Sequence, residues 1–250
     1  MVDVETRGLT KTFGAVRAVT DLSFTAQAGR VTGFLGPNGS GKTTTLRLTL
    51  GLVRPTAGIA LIGGKPYSEL PQPRRVVGAV LETGAFHPGR TGRDHLRVLA
   101  RSARLSSSRV DAVLDAVNLS GNAHRRVKDY SLGMRQRLGL AAALLGDPEV
   151  LLLDEPANGL DPAGMAWLRG LLRKLSAEGR TIVISSHVLS EVAQTVDDVI
   201  IVSEGRLRFA GPLTGLADGQ ALEAAFLRIT AAETSSGSAV VAPAAARSRG

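Results

Sequence analysis

Apolar residues occur in short runs along most of this chain, and glycine, proline and polar residues separate the runs. Runs of this length predict β-strands, which are buried on both faces where the run is continuous and half-buried where apolar and polar residues alternate. Residues 11–14 interrupt the pattern and are predicted to form a polar loop. The predicted strands cover residues 2–7, 15–24, 29–35, 59–62, 75–81, 149–155, 181–185, 198–203 and 206–210.

Segments with helical spacing lie between several of these strands. One begins after Thr91, where Thr91 and Asp94 resemble a capping box. Its apolar side chains share one face. Four arginines share another face, which is either a solvated surface or a docking surface for a negatively charged partner. They are Arg93, Arg97, Arg101 and Arg104. The predicted helices cover residues 44–50, 93–104, 109–119, 138–145 and 162–179. This alternation of strands and helices is typical of an α/β fold.

A glycine-rich loop between a predicted strand and a predicted helix carries the strongest chemical signal. It matches the P-loop pattern G-x-x-x-x-G-K-[ST]. Its residues are Gly36, Pro37, Asn38, Gly39, Ser40, Gly41, Lys42, Thr43 and Thr44. Its glycines allow backbone N–H groups to surround phosphate oxygens, and the helix N-terminus adds partial positive charge. We expect Lys42 to reach the β- and γ-phosphates and the Thr43 hydroxyl to bind Mg²⁺. The loop therefore predicts binding of a nucleoside triphosphate.

Ionisable side chains end two of the predicted buried strands. Asp154 and Glu155 end the run of residues 149–155, at the edge where parallel α/β sheets bind their ligands. His187 follows the run of residues 181–185 in the same way, which makes it a candidate at the same edge. Asp161 precedes a proline at the start of a predicted helix, and capping is a sufficient structural role for it.

The amino-acid composition limits the kinds of site and partner that the chain can have. Cysteine is absent, which excludes disulfides and cysteine-ligated metals and suits a cytosolic protein. We expect no membrane span and no signal peptide.

The formal net charge of +8 comes mostly from arginine. It indicates either a surface for nucleic acid or anionic membrane, or a general compositional bias. Residues 231–250 are rich in alanine and serine, and we predict a disordered tail that is dispensable for turnover.

Taken in order, these motifs resemble those of the nucleotide-binding subunit of an ABC transporter. The similarity covers residues 2–213. Phe13 matches the aromatic residue that stacks on adenine, although core packing is the alternative for Phe13 alone. Glu82 lies at the Q-loop position, and His187 matches the switch histidine. Residues 36–44 resemble Walker A, residues 131–137 the signature motif, residues 150–155 Walker B and residues 159–161 the D-loop.

The resemblance implies a mechanism, cofactors and partners. Two subunits, as a homodimer or pseudo-dimer, would close head to tail around two ATP molecules and drive a separate permease at the cytoplasmic face of the membrane. Asp154 would hold Mg²⁺, and Glu155 would orient and deprotonate the attacking water. His187 would hold the γ-phosphate. The residues that would contact the ATP of the other subunit are Ser131, Leu132, Gly133, Met134 and Asp161.

Two positions depart from the common motifs of the family. In place of L-S-G-G-Q the chain reads Tyr130-Ser131-Leu132-Gly133-Met134, so Leu132 replaces a glycine and narrows the backbone options. Glu82 replaces the Q-loop glutamine. We predict that it is a Mg²⁺ ligand and a coupling element, and an exposed loop carboxylate is the alternative. Both variants resemble the branch that pairs with type-2 exporter permeases, including antibiotic and lantibiotic exporters.

The fold implied is a P-loop NTPase core with a mostly parallel sheet, an N-terminal antiparallel β subdomain and a helical subdomain that carries the signature motif. We expect the ATPase domain to cover residues 1–230 and the helical subdomain residues 84–148. The main alternative is an ABC ATPase acting on nucleic acid or the ribosome. The sequence shows no coiled-coil, zinc or tandem-ATPase insertion, so no nucleic-acid partner is expected. A regulatory subunit with negligible turnover is disfavoured by Glu155 and His187.

Overall fold

The computed structural model describes residues 2–81, 86–186 and 189–216 and the single positions 224 and 226. The strands are β1 (Val4–Phe13), β2 (Val16–Ala26), β3 (Val31–Leu35), β4 (Ala57–Ile62), β5 (Val77–Val80), β6 (Val150–Asp154), β7 (Thr181–Ser186), β8 (Asp198–Ser203) and β9 (Arg206–Pro212). The helices are α1 (Lys42–Thr49), α2 (Pro73–Val76), α3 (Gly92–Ser102), α4 (Ser108–Ala116), α5 (Leu132–Leu144), α6 (Pro162–Ala177) and α7 (Leu189–Ala193). Short 3₁₀ turns cover Tyr67–Glu69, Ser120–Asn122, Val127–Asp129 and Leu213–Gly215.

A six-stranded sheet forms the centre of the fold, in the order β5-β6-β7-β3-β8-β9. All neighbouring strands in it are parallel except β8 and β9. The carboxyl ends of β3, β6 and β7 therefore meet at one edge, where Leu35 pairs with Ser186 and Asp154 pairs with Ser185. This register brings the glycine-rich loop after β3 close to Asp154.

The central sheet is buried on both faces because consecutive residues of a strand point to opposite sides. In β6, Leu151 and Leu153 pack into a core with helices α3 to α6. Val150 and Leu152 pack into a second core with α1 and the other sheet. These four side chains are at most 1% exposed, which explains why the run has no polar positions before Asp154.

The second sheet is antiparallel, in the order β2-β1-β4, and it confirms the expected antiparallel β subdomain. The polar loop predicted over residues 11–14 is wrong. Strand β1 continues to Phe13, which pairs with Val16 across a two-residue turn. A tight turn of this kind lets the strand ladder run to its end. The strand predicted from residue 75 begins at Val77 instead, because Pro73 starts the short helix α2.

Helices α3, α4 and α5 lie between β5 and β6 in the chain and pack together around a shared apolar core. Thr91 caps α3 as predicted, since its hydroxyl oxygen accepts a hydrogen bond from the Asp94 amide at 3.1 Å. Arg93 is ion-paired with Asp111 and Arg97 with Asp94, and all arginines of the predicted stripe except Arg93 are exposed. The domain limits remain predictions, and the tail of residues 231–250 lies outside the described residues. Within the described ranges, no helix has the length and apolar character needed to cross a membrane.

Candidate functional site

The loop between β3 and α1 buries a cation among its own carbonyl groups. Lys42 Nζ donates hydrogen bonds to the carbonyl oxygens of Gly36 at 2.7 Å and Pro37 at 3.1 Å. Lys42 is only 7% exposed. Burial lowers its pKa, and the carboxylates of Glu155 and Asp154 oppose that shift. The loop thus holds a desolvated positive charge, which is the arrangement that binds phosphate strongly.

Glycine is required at position 41 for two reasons. Gly41 has φ of +100°, and a Cβ atom there would lie 2.4 Å from the Ala18 carbonyl oxygen. The close approach allows β2 to form one wall of a cavity of about 270 Å³ over the loop. Asp154 and Glu155 form another part of its wall.

Phe13 lies beside this cavity and not in the core. It is 49% exposed, so the core-packing alternative for Phe13 is wrong. It pairs with Val16, which lines the cavity. The Lys11 ammonium lies 4.8 Å from the centre of the Phe13 ring. The half-exposed Phe13 ring thus lies next to the cavity wall, with the Lys11 ammonium over one of its faces.

Asp154 is a buried carboxylate with both oxygens hydrogen-bonded. The Thr43 hydroxyl donates to Asp154 Oδ2 at 2.6 Å, and the Ser185 hydroxyl donates to Asp154 Oδ1. These two bonds, one from each side, fix the plane of the carboxylate. The Thr43 hydroxyl and the Asp154 carboxylate are hard oxygen donors in contact with each other, and such donors fit Mg²⁺.

Glu155 has a backbone conformation that is unusual for a residue with a side chain. Its φ is +49°, in the left-handed region, which costs roughly 1–2 kcal/mol. Its N–H donates to the Ser185 carbonyl oxygen at 3.2 Å and to the Ser185 hydroxyl oxygen at 3.0 Å. Ser185 therefore holds both acidic residues. It binds the side-chain carboxylate of Asp154 and the backbone N–H of Glu155.

Ser185 belongs to none of the sequence motifs, although it contacts both acidic residues. Its position inside the buried run of residues 181–185 was the available signal, because a buried hydroxyl needs a hydrogen-bond partner. Ser185 is fully buried, and its partner became apparent only from its register with Asp154.

The residues that resemble the signature motif lie at the start of α5. The Ser131 hydroxyl oxygen accepts from the Met134 amide at 3.2 Å and caps the helix. Asp161 caps α6 through the Gly164 amide at 2.7 Å, which confirms its predicted structural role. Both helix starts border a second cavity, of about 540 Å³. The two cavities share no lining residue. The signature-motif residues in its wall are Ser131, Leu132, Gly133 and Met134.

Comparisons with known proteins identify the family of this chain. The family model described as ABC transporter matches residues 19–158. The chain is 42% identical over 207 residues to the bacitracin transport ATP-binding protein BcrA of Bacillus licheniformis, across 82% of this chain and 68% of the relative. The chain belongs to the ABC transporter family. Its α/β fold, its ATP-binding role and its class as an ABC ATPase are therefore confirmed, and no support was found for the nucleic-acid alternative.

Two further comparisons agree with membership of the ABC family. The lantibiotic transport ATP-binding protein SrtF of Streptococcus pyogenes is 35% identical over 201 residues, across 80% of this chain and 87% of the relative. The solved structure of an ATP binding subunit of an ABC transporter superposes with a TM-score of 0.82 at 26% identity. That alignment covers 90% of this chain and 98% of the other.

Two predicted site residues of this ABC ATPase lie outside the described residues. They are Glu82, at the Q-loop position, and His187, the switch histidine. Their roles stay predictions.

Leu132, which replaces a glycine of the family's signature motif, packs against a glycine of the D-loop. Gly159 has φ of +77°, and a Cβ atom there would lie 2.2 Å from Leu132 Cδ2 and 2.4 Å from Leu132 Cγ. Leu132 therefore occupies the space that a side chain at position 159 would need. The bulk that replaces the family's first signature glycine packs against the D-loop of the same chain.

Replacement of Gly159 by alanine tests this packing. Leu132 is 48% exposed and can be displaced, so we expect Gly159→Ala to reduce the free energy of unfolding by about 2–3 kcal/mol, because moving this side chain adds to the backbone strain. Gly64→Ala is a matched control, since Gly64 also has φ of +77° but no atom within 4 Å of its Cβ position. The control should lose about 1–2 kcal/mol, from strain alone. Urea denaturation measures both, and equal losses would show that Leu132 moves aside freely.

Proposed function

We propose that this chain is the ATP-hydrolysing subunit of an exporter, and that two such subunits close head to tail around two ATP molecules. The separation of the two cavities is the observation that supports this. Lys42 and Ser131 line different cavities of one chain, so a second subunit is needed to bring a signature motif to the phosphates. Closure with ATP and opening after hydrolysis then bias a separate permease between its states.

In this proposal the cavity over the glycine-rich loop holds ATP. The backbone N–H groups and the lysine of residues 36–44 bind the phosphates. Phe13 stacks on adenine with its exposed face. Thr43 and Asp154 hold Mg²⁺, with Glu82 as a further predicted ligand. The metal ion, when bound, neutralises phosphate charge.

Hydrolysis depends on Glu155, which lines the same cavity and accepts a proton from the attacking water. His187 holds the γ-phosphate in line with that water. The opposite subunit completes the site from its second cavity, where the Ser131 hydroxyl and the Gly133 N–H donate to the γ-phosphate. The remaining residues of that trans surface are Leu132, Met134 and Asp161.

The names of two relatives support an antibiotic or peptide as cargo. One relative is named for bacitracin transport and another for lantibiotic transport. We infer a cargo of this class for the present chain. The subunit would bind peripherally at the cytoplasmic face of the membrane, through its permease.

Purification from detergent-solubilised membranes tests the proposal. The tagged full chain, prepared with ATP and Mg²⁺, should retain a multi-spanning membrane protein, and this complex should hydrolyse ATP faster than the chain alone. Chelation of Mg²⁺ with EDTA should abolish that turnover. Recovery of ribosomal proteins or nucleic acid in place of a membrane protein would contradict the exporter role.

A further inference from the structure

The side chain of Gln136 is buried, although it is polar and uncharged. It lies on α5, just beyond the signature-motif residues 131–134, and is only 2% exposed. A buried amide needs hydrogen-bond partners, and its N–H₂ group can donate two bonds. The hydrogen bonds of the Gln136 amide therefore indicate the structural role of this side chain.

The Gln136 amide bonds to the turn that follows the Walker B strand. Its Nε2 donates to the Asn158 carbonyl oxygen at 3.0 Å and makes a longer contact, 3.5 Å, with the Glu155 carbonyl oxygen. The Asn158 N–H in turn donates to the Glu155 carbonyl oxygen at 3.2 Å. The amide of Gln136 thus closes the turn whose first residue is Glu155.

Glu155 is therefore held from two elements of the fold. Ser185 on β7 accepts a hydrogen bond from the Glu155 N–H. The Gln136 amide on α5 contacts the Glu155 carbonyl oxygen. A residue with φ of +49° keeps that conformation only where its surroundings fix it. The direction of the Glu155 side chain follows from that backbone conformation.

We propose that Gln136 is a positioning residue for Glu155, and that it links the signature helix of one subunit to the hydrolytic carboxylate of the same subunit. This rests on the proposed function, in which Glu155 is the base and the signature motif binds the ATP of the other subunit. A shift of α5 on closure is passed through the Gln136 amide to the turn of residues 155–158. The two ATP sites of the dimer are coupled by this bond.

Gln136→Met tests the proposal because methionine is similar in size but cannot donate a hydrogen bond. We expect kcat for ATP hydrolysis to fall at least tenfold while KM for ATP changes less than twofold. Gln136→Glu is the second variant, since its ionised carboxylate also lacks a donor. It should likewise lower kcat while KM for ATP changes little. Gln72→Met is the matched control at an exposed position and should keep wild-type kcat. Thermal unfolding identifies any variant that fails to fold.

A double-mutant cycle separates positioning from a purely structural role. In a Glu155→Gln background, Gln136→Met should lower the residual kcat no further, because the group it positions is already absent. An equal fold-loss in both backgrounds would overturn the proposal, as would wild-type kcat in Gln136→Met. If Glu155→Gln itself keeps wild-type turnover, the proposed function fails, which is a different outcome from failure of the link alone.

Discussion

Replacement of Glu155 by glutamine should lower kcat for ATP hydrolysis by about 10²- to 10⁴-fold, the contribution typical of a positioned general base. The amide has nearly the same shape but cannot accept the proton of the attacking water. ATP binding should persist, since the proposed phosphate contacts of residues 36–44 do not involve Glu155. The variant should therefore accumulate as an ATP-bound dimer, which size-exclusion chromatography with ATP and Mg²⁺ detects.

Glu149→Gln is the matched control for this experiment. Glu149 is an exposed carboxylate just before the opposite end of β6 and makes no part of the nucleotide cavity. It should keep wild-type turnover and should not accumulate as a dimer. A Glu155→Gln protein that hydrolyses ATP at the wild-type rate would exclude Glu155 as the base, and a purely monomeric one would count against head-to-tail closure.

Replacement of Lys42 by alanine should weaken ATP binding by about 10- to 150-fold, which corresponds to one charged hydrogen bond of about 1.5–3 kcal/mol. Lys42 is almost fully buried and its ammonium is bound by two loop carbonyls, so the charge is already fixed in the loop that we propose to bind the phosphates. Its loss removes the positive charge from the loop and leaves the Gly36 and Pro37 carbonyl oxygens without these hydrogen bonds.

Lys65→Ala removes the same charge from an exposed position and serves as the control. Its dissociation constant for ATP, measured by isothermal titration calorimetry, should match that of the wild type. Lys42→Ala and Lys65→Ala proteins with equal affinity would show that Lys42 does not contact the nucleotide. The contrast with Glu155→Gln is informative, because Lys42→Ala should weaken ATP binding whereas Glu155→Gln should lose only hydrolysis.

The parts of the site that depend on neighbouring residues in sequence were predictable. The glycine-rich loop lies between a strand and a helix, and Asp154 ends a run of apolar residues, so local patterns placed both at the same edge of a parallel sheet. The antiparallel subdomain was also expected. The hairpin at Phe13 was misread as a loop because polar residues on an exposed strand resemble a turn in composition.

The supporting residues could not be predicted, because their roles depend on contacts between distant segments. Ser185 acts on Asp154 through a strand register that no local pattern encodes. Gln136 acts on Asn158 through the packing of α5 against a loop 22 residues away in sequence. The sequence showed Leu132 as a departure from a motif, and only the structure showed the D-loop glycine that accommodates it.

The fit between Leu132 and Gly159 also has a consequence for how substitutions at these two positions combine. In its present rotamer the Leu132 side chain occupies the space of a Cβ atom at position 159, so any side chain there requires Leu132 to move. Glycine at position 159 therefore lets Leu132 keep this rotamer, and a residue with a Cβ atom at position 159 adds the free-energy cost of moving the leucine. The effects of substitutions at positions 132 and 159 on the free energy of unfolding should therefore not add, because a smaller residue at position 132 removes the contact that a side chain at position 159 would make.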